Sequence, residues 1–526
     1  MTGGAGGRDQ SIAARVAEVV EAHGDAVAVV DGSERLTYAE LGERAHRVAA
    51  GLVAAGVAKG DRVAIWAPNS AAWIVTVLGL FRAGAVLVPI NTRFKGAEAA
   101  ELLRRSGARV LVTVTDFLGA DPLGLLAGHD LPALGTTVVL AGPVPNGALS
   151  FPDLLGLGSD ADRAEVQRRA AALTADDPAD ILFTSGTTGT PKGVVQTQGR
   201  TLLVASDWVV MTGLRAGDRY LMVNPYFHMF GLKAGILAAT LAGATMYPEP
   251  VFDVDRALRT VAAEQITVLP GAPTIYQSIL DNPDRAAHDL SSLRVAVTGA
   301  ADIPVALIRR IFDELPFEVV ITGYGLTEGG TAAATRPGDD AETIATTVGR
   351  ARPGFELRIV DGAGRDVERG EAGEVLLRGG SVMSHYLDDP EATAQAVDAD
   401  GWLRTGDLGS LDDRGNLRIV GRSKDMFIVG GFNAYPAEIE NLLAGHPDVA
   451  EAAVIGIPDD RLGEVGMAFV VPRAGAALDG SEVVAWARDA MANYKAPRRV
   501  EVVDALPRNA TGKVVKDDLR ARAAAT

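Results

Sequence analysis

"ILFTSGTTGTPKGVV", residues 181–195, carries an apolar run into a loop of Gly, Thr and Ser that closes on one Lys. Thr184, Ser185, Thr187, Thr188 and Thr190 offer hydroxyls, Gly186 and Gly189 offer flexible backbone, and Lys192 offers a cation. Such a set can wrap a polyphosphate through charge-assisted and backbone donors. It is not the common P-loop, which needs Gly, four residues, then Gly-Lys-Ser/Thr. Lys192 is preceded by Pro191 and followed by Gly193, so the pattern fails on both sides. The Pro also argues against a helix that caps the phosphates at once. The loop reads as a mobile flap after a strand. The plainer alternative is a Gly/Thr-rich surface turn.

Working outward, short apolar runs alternate with helical patterns. Residues 61–67, 85–90, 108–114, 180–184, 219–224, 267–271, 293–299 and 318–325 read as strands. Helical patterns fall at 70–83 and near 200–211, 231–242, 254–264, 273–281 and 304–315. Most of the strands are apolar throughout, which marks strands buried on both faces of parallel α/β sheets. After about residue 350 the texture changes to hairpins, with Asp361-Gly362 between two strand runs. From Ser423 the order is strand, helix, strands, helix, strand, an α+β unit of domain size. The expected fold class is therefore α/β. A large N-terminal domain of several subdomains has parallel-rich sheets and a small β unit, and a small α+β C-terminal domain follows. The expected boundaries are 1–10 as a disordered N-terminus, 11–422 as the large domain and 423–526 as the small one.

Composition narrows the class. The chain has 526 residues, too many for one ordinary core, and 48% of them are hydrophobic. A net charge of −17 without a basic tract argues against nucleic acid, which needs clustered Lys and Arg. There is no Cys, so disulfides, thiolate metal sites and Cys nucleophiles are excluded. The most apolar window, 71–90, is broken by Arg82 and Gly84 and reads as a buried helix and strand. The N-terminus has no apolar signal core. A cytoplasmic protein with no transmembrane segment is expected.

Further motifs follow in order: "NPYFHMFG" (224–231), "GYGLTE" (323–328), "RTGD" (404–407), "GRSKDMFIVGGFNAYPAEIE" (421–440) and "PRNATGK" (507–513). With "TSGTTGTPKG" they resemble the adenylate-forming superfamily of acyl-CoA synthetases, peptide-synthetase adenylation domains and luciferases. The resemblance covers roughly 25–520. It implies ATP, Mg²⁺ and CoA as cofactor and co-substrates, and a two-step ligation. A carboxylate attacks the α-phosphate of ATP to give acyl-adenylate and pyrophosphate. CoA thiolate then displaces AMP.

The resemblance implies roles residue by residue. Lys513 bridges the carboxylate and the α-phosphate during adenylation; on its own it would read as a solvated tail lysine. Glu328 and Thr184 serve the metal and phosphates. Ser185, Gly186, Thr187, Thr188, Gly189, Lys192 and Thr327 serve the nucleotide phosphates. Tyr324 and Gly325, with the turn Gly299, Ala300 and Ala301, take the adenine. Asp407 accepts from both ribose hydroxyls, as a two-oxygen acceptor can, and Arg422 supports the ribose or a phosphate from the domain junction. Lys424 is the hinge about which the small domain turns. Gly430 and Gly431 let pantetheine approach. His228 positions the acyl group and is not a general base, since the carboxylate needs no deprotonation. Gln198 stands where relatives often carry His.

The acyl pocket is expected from 226–233, 270–277, 298–302 and 325–332, with Tyr226, Phe227, His228, Lys233, Gly271, Gly299 and Gly329 singled out. The small residues suggest a roomy pocket, and Lys233 a cation for a distal polar group. The wording of 224–237, 267–280 and 344–350 resembles an actinobacterial branch that activates a propionate side chain on a bicyclic hydrindane from steroid breakdown. A medium- or long-chain fatty acid, an aryl acid, and loading of a carrier protein stay open. A luciferase-type oxygenase has no mark here. A binding-only protein disagrees with the presence of Glu328, Asp407 and Lys513. The oligomeric state is not legible.

Overall fold

The computed structural model describes residues 9–184, 191–299, 303, 305–422, 425–429, 432–459, 461–491, 493–509 and 512–525. Two large sheets dominate. In the eight-stranded one, Val86–Pro89, Arg62–Trp66, Val110–Val114 and Thr136–Ala141 run parallel beside Pro178–Thr184. In the nine-stranded one, Val27–Asp31, Thr245–Pro248, Arg219–Met222, Val268–Pro270, Val295–Gly299 and Val319–Leu326 run parallel. Every strand expected from the apolar runs is present, because a run buried on both faces has no polar alternation to confuse it.

Between the sheets lies the helix Ala71–Ala83. Eleven of its residues are buried. Ser70 caps its start by accepting from Trp73 N at 3.2 Å, and Gly84 ends it at φ 74°. Burial of each large side chain here contributes about 1.5–3 kcal/mol. The apolar window is thus an interior helix followed by the buried strand Val86–Pro89. Among the described residues no helix is long and apolar enough to cross a membrane.

A four-stranded antiparallel sheet, Phe355–Val360, Gly373–Gly379, Leu403–Leu411 and Leu417–Arg422, follows. The last sheet takes Phe432–Ala434, Phe427–Val429, Gly463–Pro472 and Val449–Asp459 antiparallel, with Arg499–Val502 parallel to the third of these. The helices Pro436–Leu443 and Gly480–Ala490 pack into that unit's own core. A closing helix, Lys516–Ala524, has no counterpart in the sequence reading. Its helical face is weak, with Leu519 its one buried residue.

Candidate active site

The motifs gather at strand ends. Thr184 ends Pro178–Thr184, Gly299 ends Val295–Gly299, and Tyr324 and Gly325 lie in the last turn of Val319–Leu326. Ligands of open α/β sheets sit at such carboxyl ends. After the phosphate loop the chain turns back as the strand Lys192–Thr197, antiparallel to Pro178–Thr184, with Thr184 opposite Lys192. A strand and not a helix follows Pro191, as the sequence suggested. Ser185, Gly186, Thr187, Thr188 and Gly189 lie outside the described residues, as do Ala300, Ala301, Lys424, Gly430 and Gly431. Arg422 ends a strand in register with Asp407.

Glu328 follows that carboxyl end directly. Its Oε1 accepts from the Tyr386 hydroxyl at 3.0 Å. Among the described residues its second oxygen accepts no hydrogen bond, and no cluster of three or more His, Cys, Asp or Glu could hold an ion alone. One free carboxylate oxygen suits Mg²⁺, which takes one or two carboxylates and completes its shell with other oxygen ligands and water. The Lys192 ammonium lies 5.0 Å from the Tyr386 ring centre. Tyr386 therefore joins Lys192 to Glu328. The sequence reading missed it, since the strand His385–Tyr386 has two residues and no periodicity to read.

Asp407 is buried, and its Oδ2 accepts from the Tyr324 hydroxyl at 2.5 Å. Its backbone N–H donates to Thr405 Oγ1 at 3.0 Å, which fixes the turn after Gly406. The adenine and ribose candidates are thus bonded to each other. Gly325 has no room for a side chain: a Cβ would meet Gly330 O at 2.6 Å.

His228 Nδ1 accepts from Phe230 N–H at 3.2 Å. Burial, then the nearby Lys513 charge, lowers its pKa to about 4. The ring is neutral at ordinary pH, with its proton on Nε2. The Lys513 charge is thus felt at His228, although one is in the large α/β part and the other near the C-terminus. Lys513 is held in a tight loop. Its N–H donates to Asn509 Oδ1 at 3.0 Å, and its carbonyl accepts from Asn509 N at 2.8 Å.

The acyl-pocket expectations need correction. Lys233 is buried, 2.9 Å from Asp180 Oδ1, and so is sequestered from any acyl group. Tyr226 is fully buried, its hydroxyl on Met222 Sδ at 3.2 Å and its ring 5.3 Å from that of Trp73. It is a core residue. The glycines do not open space on their missing side chains' side. A Cβ would meet Ile275 Cδ1 at 2.6 Å from Gly271, Gly323 O at 3.2 Å from Gly299, and Leu326 Cδ2 at 3.2 Å from Gly329. They permit close packing. Gln198 is buried and accepts from Ile12 N at 3.0 Å, so it ties the N-terminal helix and faces no nucleotide. Phe227 stays partly buried beside His228.

Fold and site together define an adenylate-forming enzyme. The family model described as AMP-binding enzyme matches residues 16–387, and that of the AMP-binding enzyme C-terminal domain matches 438–513. The chain belongs to the AMP-binding enzyme family. It is an AMP-forming acid–CoA ligase that works through an acyl-adenylate, with ATP and CoA as substrates. It is 50% identical over 502 residues to the 3-[(3aS,4S,7aS)-7a-methyl-1,5-dioxo-octahydro-1H-inden-4-yl]propanoyl:CoA ligase of Rhodococcus jostii (strain RHA1), covering 94% of this chain and 96% of that one. Among solved structures, the anthranilate CoA ligase AuaEII in complex with anthranoyl-AMP superposes with a TM-score of 0.89 at 31% identity, covering 99% of each chain. ATP-bound MatB from Rhodopseudomonas palustris gives 0.87 at 31% identity, covering 97% of this chain and 98% of that one.

Proposed function

We propose that the acid is a propionate side chain on a bicyclic hydrindanedione. The end-to-end identity with the Rhodococcus jostii ligase supports this choice. The reaction is an electrostatic problem. The carboxylate oxygen bonds to the α-phosphorus while the bond to pyrophosphate breaks, so cations aimed at the growing charge should supply most of the catalysis.

The residue roles are part of the proposal. Lys192 and the hydroxyls of Ser185, Thr187 and Thr188 hold the outer phosphates, with Gly186 and Gly189 letting the backbone approach. Glu328 and Thr184 hold Mg²⁺ when it is bound, and the ion supplies charge neutralisation at the phosphates. Thr327 joins them. Tyr324 stacks on adenine, with Gly325, Gly299, Ala300 and Ala301 around the base. Asp407 takes the ribose hydroxyls and Arg422 supports the ribose or a phosphate. Neutral His228 offers Nε2–H to the carboxylate, and Lys513 bridges carboxylate and α-phosphate. For the second step, the part from 423 onward turns about Lys424, replacing Lys513 with the Gly430–Gly431 loop at the pantetheine arm. A cytoplasmic location, where ATP and CoA are pooled, belongs to the same reading.

The test is one incubation of the protein with ATP, Mg²⁺, CoA and a mixture of acids, read by mass spectrometry. The mixture holds a hydrindanedione propionate, fatty acids and benzoates. The hydrindanedione thioester should dominate. A fatty or aryl thioester in its place overturns the acid. Acyl-adenylate without any thioester would point to a carrier protein as acceptor.

A further inference from the structure

Residues 381–387 belong to none of the motifs the sequence singled out, yet they grip the Glu328 loop. Ser381 Oγ donates to Gly329 O at 2.8 Å, and Met383 N donates to Glu328 O at 2.6 Å. Gln196, from the strand that leaves the phosphate loop, donates to Thr327 O at 3.4 Å and to Ser381 O at 3.3 Å. Three consecutive carbonyls are thus held.

The strap is itself pinned. Ser384 N and Leu387 N donate to Val195 O and Gly193 O at 3.0 and 2.7 Å. Arg352 Nη2 donates to Ser381 Oγ at 2.9 Å, and Arg200 Nη1 donates to Val382 O. Arg352 is buried and Arg200 is half-buried, and burial lowers the Arg200 pKa. Arg352 also pairs with Asp207 and donates to Thr331 O, so it ties the strap to the strand Gly330–Ala334 and to the helix Gln198–Thr212. At its end Tyr386 is buried with its hydroxyl on Glu328 Oε1 and its ring face under Lys192 Nζ.

We propose that Tyr386 is a positioning residue for adenylation: its hydroxyl fixes one oxygen of Glu328 so that the other serves the metal, and its ring holds the Lys192 ammonium at the phosphate loop. The proposal rests on the assignment of Glu328 to the metal made above. Two contacts on one side chain can be separated. Tyr386→Phe keeps the ring and removes the hydroxyl; Tyr386→Leu removes both.

The experiment measures binding of Mn²⁺·ATP and of metal-free ATP to the full chain by calorimetry, without acid and so without turnover. Thioester formation from supplied acyl-adenylate is measured beside it. Tyr386→Phe should weaken Mn²⁺·ATP about 10-fold or more, the usual range for an outer partner of a metal ligand. Metal-free ATP binding and thioesterification should stay at the parent level. Tyr386→Leu should weaken metal-free ATP as well. Parent-like Mn²⁺·ATP binding by Tyr386→Phe, with Glu328→Gln impaired, overturns the proposal. Lost thioesterification in Tyr386→Phe overturns it too, because a role in adenylation spares that step. Parent-like binding by Glu328→Gln removes the metal assignment of Glu328 instead, and the proposal with it.

Discussion

Lys233 and His228 lie five residues apart and were both expected at the acyl group, but their surroundings separate them. Lys233 meets Asp180 at 2.9 Å with neither exposed, and Thr201 Oγ1 donates to the same carboxylate at 2.6 Å. Lys233→Met should strand that carboxylate and destabilise the chain by about 3–5 kcal/mol. Adding Asp180→Asn should recover part of the loss. Urea unfolding of the full chain checks both, and a parent-like midpoint for the single variant would refute it. His228 titrates the other way from a paired histidine. Its folded pKa of about 4 lies below the ordinary 6.5. As pH falls through 6.5 the unfolded chain takes up a proton that the folded chain refuses until about 4, so stability is lost across that window. NMR of the imidazole should show an inflection near 4, and one near 6.5 would contradict it. Candidate residues were legible where one short motif holds them, as with Thr184, Glu328, Asp407 and Lys513. Tyr386 was not, because its partners come from strand pairing. Lys233 misled because a lone cation in an apolar run looks the same facing a ligand or a buried carboxylate.

Among elements, the parallel strands were legible from continuous burial, and their carboxyl ends placed the site. The helix expected near 231–242 is in fact a π-helix, Phe230–Leu237, followed by the α-helix Ala238–Ala242. Its wider turn keeps the same apolar content, so the sequence period did not announce it. The small residues illustrate a second limit. A glycine reads as space, but whether the space is open or filled depends on the element packed against it. Gly79 in Ala71–Ala83 is filled: a Cβ would meet Ala45 O at 2.6 Å and Val48 Cβ at 2.7 Å. Gly79→Ala gains about 1 kcal/mol of helix propensity. Overpacking against the neighbouring helix costs about 1–3 kcal/mol. The clash should win, since backbone cannot swing aside, and the thermal midpoint should fall. A rise would show that the two helices part easily.

Across the whole molecule, the charge of Lys513 in the C-terminal loop is felt at His228. On the proposed role of Lys513, adenylation would use that arrangement, and no spacing in the sequence could give it. The two-part fold was legible because the texture changes along the chain; which faces meet was not. Lys513→Ala should nearly abolish acyl-adenylate formation and spare thioester formation from supplied acyl-adenylate. Pyrophosphate release and thioester mass, measured separately, check this. Equal loss of both would argue that the loop serves stability and not one half-reaction.

The bond between Tyr324 and Asp407 bears on how the nucleotide is captured. On the assignment of Asp407 to the ribose, the carboxylate already has a hydroxyl donor before any sugar arrives. A carboxylate has acceptor positions for several donors, so the phenol can keep its bond while ribose hydroxyls take others. On that assignment the phenol would orient the carboxylate ahead of the sugar, leaving less ordering to the moment of binding.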